Sequence, residues 1–326
     1  ETSNEVIEAI KRRLGNRADA FEIYFSSSRG LTVEARESSV EALKVKSSRG
    51  AGIRVIKGTR PGFGFSTVLD DGAIKGLVDN TLSGSEGASE DKSLKFPEPN
   101  GAGAPSEGLL LFDDGFAGGT EDEKISLALG IEEAALSEDK RIKRVRKATY
   151  SETLNYTRVV NSNGLDRAHS ATFFTGSVTA VAEAGGSSEI GWEFHSSHRR
   201  RDINPDEIGS SAAKNAIRML GARTLKTVKC PAVVENTVAT ELLEALAGSF
   251  FADNISKGKS MLAGKAGKKA ASGILNIWDD GLMKGGWASA PFDGEGAPRR
   301  KTALVRNGVI QGFLYDTYWA GRSGAK

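Results

Sequence analysis

Apolar and polar positions change their period several times along this chain, and each change marks an element. Val6, Ile7, Ile10 and Leu14 recur at helical spacing, with Ser3 or Asn4 placed to cap the helix and Gly15 to end it. Phe21, Ile23 and Phe25 then alternate with polar residues, as do Leu31, Val33 and Ala35, which predicts antiparallel strands. The stretch "SRGAGIRVIKGTRPGFGFSTV" reads as two strands joined by a Gly/Pro turn at 58–62, and "DDGAIKGLVDNTLSGSEGA" as a helix capped by Asp70 or Asp71. Residues 83–119 are rich in Ser, Gly, Pro and Glu and predict a loop or linker, with "LLLF" at 109–112 as a short strand. Thr120 and Glu123 form a capping-box pair ahead of a helix. Residues 142–201 predict three or four strands, with a hairpin turn at Asn163 and Gly164, and "INPDEIGSSAAKNAIRMLGAR" predicts a further helix.

Strands that follow one another, rather than alternating with helices, point to an α+β fold rich in antiparallel sheet. The expected division is an N-terminal α+β region over 1–221, with a sub-boundary near 83–119, and a β-rich C-terminal domain over 222–326. In the second region "TVKCPAVVEN" predicts a strand. A helix follows, with Ala239, Leu242, Leu243, Leu246 and Phe250 in one stripe. "GILNIWDDGL", "TALVRNGVIQGFLYD" and "TYWAGRSGAK" read as strands and turns, with a second hairpin at Asn307 and Gly308. Phe250, Phe251, Trp278, Trp287 and Trp319 are expected mostly in the core. The C-terminal domain reads as incomplete.

Composition narrows the function classes. A chain of 326 residues suggests two domains or three, and 39% hydrophobic with 26% charged residues is ordinary for a globular protein. A formal net charge of +2 gives no support for a nucleic-acid-binding surface. The single cysteine, Cys230, can form neither an internal disulfide nor a thiolate cluster and is read as a strand residue, so a reducing cytoplasm is expected. The first residues carry charge and helical periodicity, not a secretory leader's apolar run, and no window has the length of a membrane span.

Candidate chemistry is sparse. The three histidines are His169, His195 and His198. His195 and His198 fall at a strand end, where i and i+3 face opposite ways, and the adjacent arginines would repel a cation. An exposed polar loop is therefore expected there. "GAGIRVIKG" and "GAGAP" lack the strand–turn–helix context of a dinucleotide site, and neither a G-x-S-x-G elbow nor a phosphate loop is present. The basic alternation of "RIKRVRK" (141–147) reads as a solvated strand face. Glu244 lies away from the apolar stripe of its helix and reads as a solvated carboxylate. Glu244, Asp253 and Lys257 are close along the chain and would be the groups of a metal-free acid–base site, if there were one.

"LLEALAGSFFADNISKGKS" and "WASAPFDGEGAPRRKTALVRNGVIQGFLYDTYWAGRSGAK" resemble the TldD/PmbA family, described both as metallopeptidases and as modulators of DNA gyrase. The resemblance runs through the whole chain and is most specific from 230 onward, above all in "FDGEGAPRRKTALVRNGVIQGFLYD" (292–316). It implies two kinds of subunit. The catalytic TldD kind carries a His-Glu-x-x-x-His motif on this helix, with zinc on the two imidazoles and the glutamate as general base. Laid on this sequence, the motif puts Leu243 and Gly248 at the ligand positions and Glu244 at the base. A leucine and a glycine offer zinc no lone pair. The resemblance thus implies a PmbA/TldE-like, catalytically inactive subunit without a cofactor of its own. Zinc would reside only in a TldD-like catalytic partner, and the substrates would be peptides. The family usually continues past the position of Lys326, where a late metal ligand of catalytic members would lie. Pairing with a second copy of itself, an activity at another site and a regulatory link to DNA gyrase are the alternatives; direct binding to nucleic acid or membrane is not expected.

Overall fold

In the computed structural model, which describes residues 2–99 and 106–325, the cap of the first helix lies one residue before the expected Ser3 or Asn4. Thr2 caps α1 (Ser3–Leu14), because it alone stands three residues before Glu5. The Thr2 N–H donates to the Glu5 carboxylate (2.6 Å), and the Glu5 N–H donates to the Thr2 hydroxyl (3.3 Å). Val6, Ile7, Ile10 and Leu14 are fully buried, each such side chain contributing roughly 1.5–3 kcal/mol of transfer free energy.

Three antiparallel strands follow, β1 (Ala20–Arg36), β2 (Ser39–Lys57) and β3 (Arg60–Ser66), and then α2 (Asp71–Glu86), whose cap is Asp70. The chain then repeats the plan. Behind the Thr120–Glu123 capping box come α3 (Glu121–Ser137), β4 (Ile142–Asn161), β5 (Asp166–Ala184), β6 (Ser187–Ser197) and α4 (Pro205–Met219). β1 pairs antiparallel with β4 from Glu22↔Asn161 to Ala35↔Ala148, giving one six-stranded sheet ordered β3-β2-β1-β4-β5-β6. The two helix–meander–helix halves are related by an approximate twofold axis near the Ser28↔Asn155 pair.

All four helices lie on one face. α1 and α2 cover Ile23, Phe25, Ile53 and Val55, whereas α3 and α4 cover Val33, Ala35, Tyr150, Phe174 and Val178. The β1 members of both sets have the same parity, so both helix pairs meet the same side of the strand. Helix and sheet approach closely at Gly191, where a Cβ would run into the Ala212 carbonyl and the Ala216 amide of α4. At the start of β4, Ile142, Val145 and Ala148 are buried, with two exposed basic residues after each of the first two. Register shifts between Ile142 and Arg144 and between Val145 and Lys147 convert the strand's period of two into three. The basic stretch is therefore a solvated strand face, as its pattern suggests.

The C-terminal region holds α5 (Asn236–Ala247), α6 (Ala252–Ser256), a sheet of β7 (Ile277–Asp280), β8 (Lys301–Arg306) and β9 (Val309–Ile310), and α7 (Thr317–Ser323). Asn307 and Gly308, at φ 51° and 76°, make the hairpin turn between β8 and β9. Several expectations are corrected here. "TVKCPAVVEN" pairs with no strand, and Cys230 is exposed. "TYWAGRSGAK" forms a helix because the Asp316 carboxylate accepts the Trp319 N–H (2.7 Å) at its start and Gly324 closes it in the left-handed region. Where a strand was expected at 109–112, a 3-10 turn over Ser106–Leu109 ends and residues 110–112 form no strand, although the Leu111 carbonyl accepts the Thr172 N–H (2.9 Å). Phe250 joins a small core with Leu304 and Val305, but Phe251, Trp278 and Trp287 are about half exposed. The glycine-rich "GAGAP" lies outside the described residues.

Gly191→Ala is expected to destabilise the chain by about 1–3 kcal/mol through overpacking against α4. Gly76→Ala, in the interior of α2 with open space around its Cβ position, is expected to stabilise it by about 0.5–1 kcal/mol. Urea denaturation of both variants checks the opposite signs.

Candidate functional site

α5 begins without a side-chain cap, and none of its residues is buried. Val238, Leu242, Leu243 and Leu246 are about half exposed, so the apolar stripe that predicts a core-facing helix faces outward here. Glu244 is exposed and makes no hydrogen bond or ion pair among the described residues. The Gly248 carbonyl accepts from the Asn254 side-chain amide (2.8 Å). Lys257 pairs with Asp253 across one helical turn (3.3 Å), a contact of which Glu244 is no part.

The donors on α5 are the carboxylates of Glu241 and Glu244; the helix has no histidine and no cysteine. Zinc takes about three protein ligands and an open position, commonly from imidazole and thiolate, so this donor set does not fit the ion. Among the described residues no three His, Cys, Asp or Glu side chains are grouped so as to hold a metal.

The histidines serve the sheet instead. His195 is exposed at the end of β6. His198 is 2% exposed, which corrects the expectation of a polar loop. Its Nδ1 lies 2.7 Å from the Thr172 carbonyl and its Nε2 3.1 Å from the Gly286 carbonyl, and its ring packs against Phe173 and Trp287. It thereby joins β5 to the C-terminal region. His169, on β5, meets the edge of Phe292, and burial followed by the charge of Arg299 holds its imidazole below the usual value.

The second feature is where residues 291–299 dock on the face of the large sheet that carries no helix. Phe292 packs against Val159 and Leu165. The Asp293 carboxylate accepts the N–H groups of Glu295 and Ala297 (2.9 and 3.0 Å), shaping the turn that presents Glu295. Arg54 on β2 reaches Glu295 (3.3 Å) and grips Glu22 on β1 through Nε and Nη2, both at 2.9 Å. Glu22 is 4% exposed. Burial pushes its carboxyl up to about 7, outweighing the neighbouring Arg54, with Glu295 and Asp293 adding to the rise. Burial likewise raises Asp293. This cluster borders a cavity of about 760 Å³ floored in part by Gly50 and Gly52 and walled by Tyr24, Phe63 and Phe65. Alternating glycines in "RGAGIR" were the sequence signal for a bare strand surface, whereas those of "PGFGF", Gly62 and Gly64, face Leu77 and Thr81 of α2 on the other side. The Glu22–Arg54–Glu295 contact had no such signal, since its members are far apart in the chain.

The comparisons with known proteins agree along the length of the chain. Models of the PmbA/TldA metallopeptidase match as domain 1 over residues 21–85, as the central domain over 119–220 and as the C-terminal domain over 227–326. Metalloprotease PmbA of Escherichia coli O157:H7 is 28% identical over 329 residues, covering 99% of this chain and 71% of that protein. A Thermotoga maritima structure described as a candidate modulator of a DNA gyrase superposes with a TM-score of 0.90 at 24% identity, covering 100% of this chain and 73% of that one. TldE from Thermococcus kodakarensis superposes at 0.83 with 21% identity, covering 98% and 72%. At these identities the solved structures speak to the fold.

The Glu22 group generates a pH test. Its folded value, about 7, lies above the usual 4.5, so the folded chain holds this proton more tightly than the unfolded chain does. The stability it contributes is complete below about 4.5 and is lost as pH rises through about 7. Relative to Glu22→Gln, the native chain should lose denaturant midpoint as pH rises across that window, since the contribution of His169 is common to both.

Proposed function

Because this chain belongs to the PmbA/TldD metallopeptidase family, we propose that it is a PmbA/TldE-like, non-catalytic subunit of a TldD/TldE-type metallopeptidase complex acting on peptides in the cytoplasm. The observation that carries this reading is the donor set of α5. The helix to which the family resemblance assigns zinc binding has Leu243 and Gly248 at the ligand positions and no imidazole or thiolate anywhere along it. Glu244 is then a vestigial base, solvent-facing and without a metal-bound water to deprotonate.

In this reading zinc and bond cleavage belong to a TldD-like partner, or the chain pairs with a second copy of itself and cleaves nothing. The half-exposed apolar stripe of α5 suits a helix covered in an assembly better than one left in water. No helix among the described residues is long and apolar enough to cross a membrane. The net charge of +2 offers a DNA-directed role no electrostatic footing.

Metal analysis and peptide hydrolysis on the purified chain, alone and mixed with a zinc-loaded TldD-like chain, test the proposal. The chain alone should hold less than stoichiometric zinc and show no hydrolysis that a chelator abolishes; the mixture should hydrolyse peptides. Stoichiometric zinc together with chelator-sensitive cleavage by this chain alone would overturn it.

A further inference from the structure

The approximate twofold symmetry of the large sheet poses a question of occupancy. In each half the middle strand is longer than the outer strand beside it. β6 pairs with β5 only from Phe174 onward in β5, and β3 pairs with β2 only from Ala51 onward in β2. Each half therefore has a stretch of middle strand with an open side. In the second half this chain fills it. The Thr172 N–H donates to the Leu111 carbonyl (2.9 Å), the Asp113 N–H donates to the Thr172 hydroxyl (2.9 Å), and Leu109 and Leu111 are buried against Ala171.

In the first half nothing among the described residues occupies the equivalent place. Among the described residues, β2 from Ser39 to Ser48 is paired with β1 on one side and with no strand on the other. An antiparallel strand turns successive N–H and C=O pairs to alternate sides, so half of the backbone groups in this stretch face outward without a strand partner. The side chains flanking the edge are ordered by face. Lys44 and Lys46 share the parity of Gly50, Gly52 and Arg54, on the face that carries no helix, while Leu43 and Val45 lie on the other face. Val45 is 67% exposed. Lys44 shares Glu34 with Lys147, and Lys46 has no ion-pair partner among the described residues.

We propose that the open edge of β2 at residues 43–47 is a strand-addition site for an extended peptide of alternating acidic and apolar residues. Backbone hydrogen bonds to the edge supply the affinity, and the alternating side chains supply the choice of sequence. The peptide's acids face Lys44 and Lys46, and its apolar side chains extend the surface of Leu43 and Val45. A second copy of this chain is a poor occupant. Antiparallel pairing of two such edges about Val45 sets Lys44 of one directly opposite Lys46 of the other, twice, and like charges directly opposite destabilise a pair. Exposed edge lysines commonly act in this way against self-pairing. The site lies on β2, apart from α5, so it stands whether or not the chain is a non-catalytic subunit.

The test uses the full chain and a fluorescein-labelled, end-capped peptide of four Glu-Val repeats, with a Lys-Val repeat and a proline-interrupted Glu-Val repeat as controls. Fluorescence anisotropy should show binding of the Glu-Val peptide only, weakening with added salt. Amide hydrogen exchange should slow at alternate positions within residues 43–47 when that peptide is present. Val45→Pro, which removes an edge N–H, and Lys46→Glu, which reverses a solvent-facing charge, should each weaken binding by about ten-fold. Circular dichroism establishes that Val45→Pro folds, and Lys46→Glu carries the test alone if it does not. Equal binding of the Lys-Val peptide, unchanged exchange at 43–47, or affinity indifferent to Lys46→Glu would overturn the proposal. So would a dimer in sedimentation that Val45→Pro dissociates, since the edge would then belong to a second copy.

Discussion

The pairing of β1 with β4 is the constraint on which the rest of the molecule depends. Alone, each half would be a three-stranded meander with two helices and an open inner edge. Backbone bonds from Glu22↔Asn161 to Ala35↔Ala148 close both inner edges at once and merge two small hydrophobic cores onto one face of a single sheet. Small meanders bury too little apolar surface to be secure by themselves, so the seam does for each half what its own size cannot. It also fixes the outer limits of the sheet, which is why the open stretch of β2 and the filled stretch of β5 stand in equivalent places.

One-sided coverage by the helices has a second consequence. The opposite face of the sheet is left for the C-terminal region, which meets it through few contacts. Phe292 enters between Val159 and Leu165, His198 reaches the Gly286 carbonyl, and Arg54 gathers Glu22 and Glu295. The last of these places a buried carboxyl, held near neutrality, at the point where the two regions join. Truncating one member of such a cluster leaves another charged group buried without its partner, so the junction is chemically exacting although it is small. A second buried network, in which Glu152 receives Lys124 (2.6 Å), Arg200 (3.2 Å) and the Tyr150 hydroxyl (3.0 Å), ties α3 and the segment after β6 to the sheet on the helical side.

Local features were legible in the sequence because they are decided within a few residues. The capping box at Thr120, the turns at Asn163–Gly164 and Asn307–Gly308, and the stripe of α1 follow from side-chain geometry that no distant contact overrides. The α+β class followed from strands in succession. The repeat was not legible, because the two halves share element order and strand parity but little sequence: Phe25 and Glu152 are both buried on the same face by different chemistry. The stripe of α5 misled for a related reason. Amphipathic periodicity says that a face is to be covered, but not that this chain covers it. His198 read as surface because three arginines follow it, and its burial depends on Gly286, which lies far along the chain. At the candidate site, residue types alone were enough to say what chemistry α5 lacks, whereas the Glu22–Arg54–Glu295 junction needed the fold.

Native-state hydrogen exchange tests the seam and the exposure of α5 together. The account predicts that the amides bonded between β1 and β4, around Ile23–Phe25 and Val159–Val160, exchange only at the rate of global unfolding, whereas those of α5 exchange through local opening orders of magnitude faster. Protection of α5 equal to that of the β1–β4 seam, or seam amides that exchange while α1 and α3 remain protected, would contradict it.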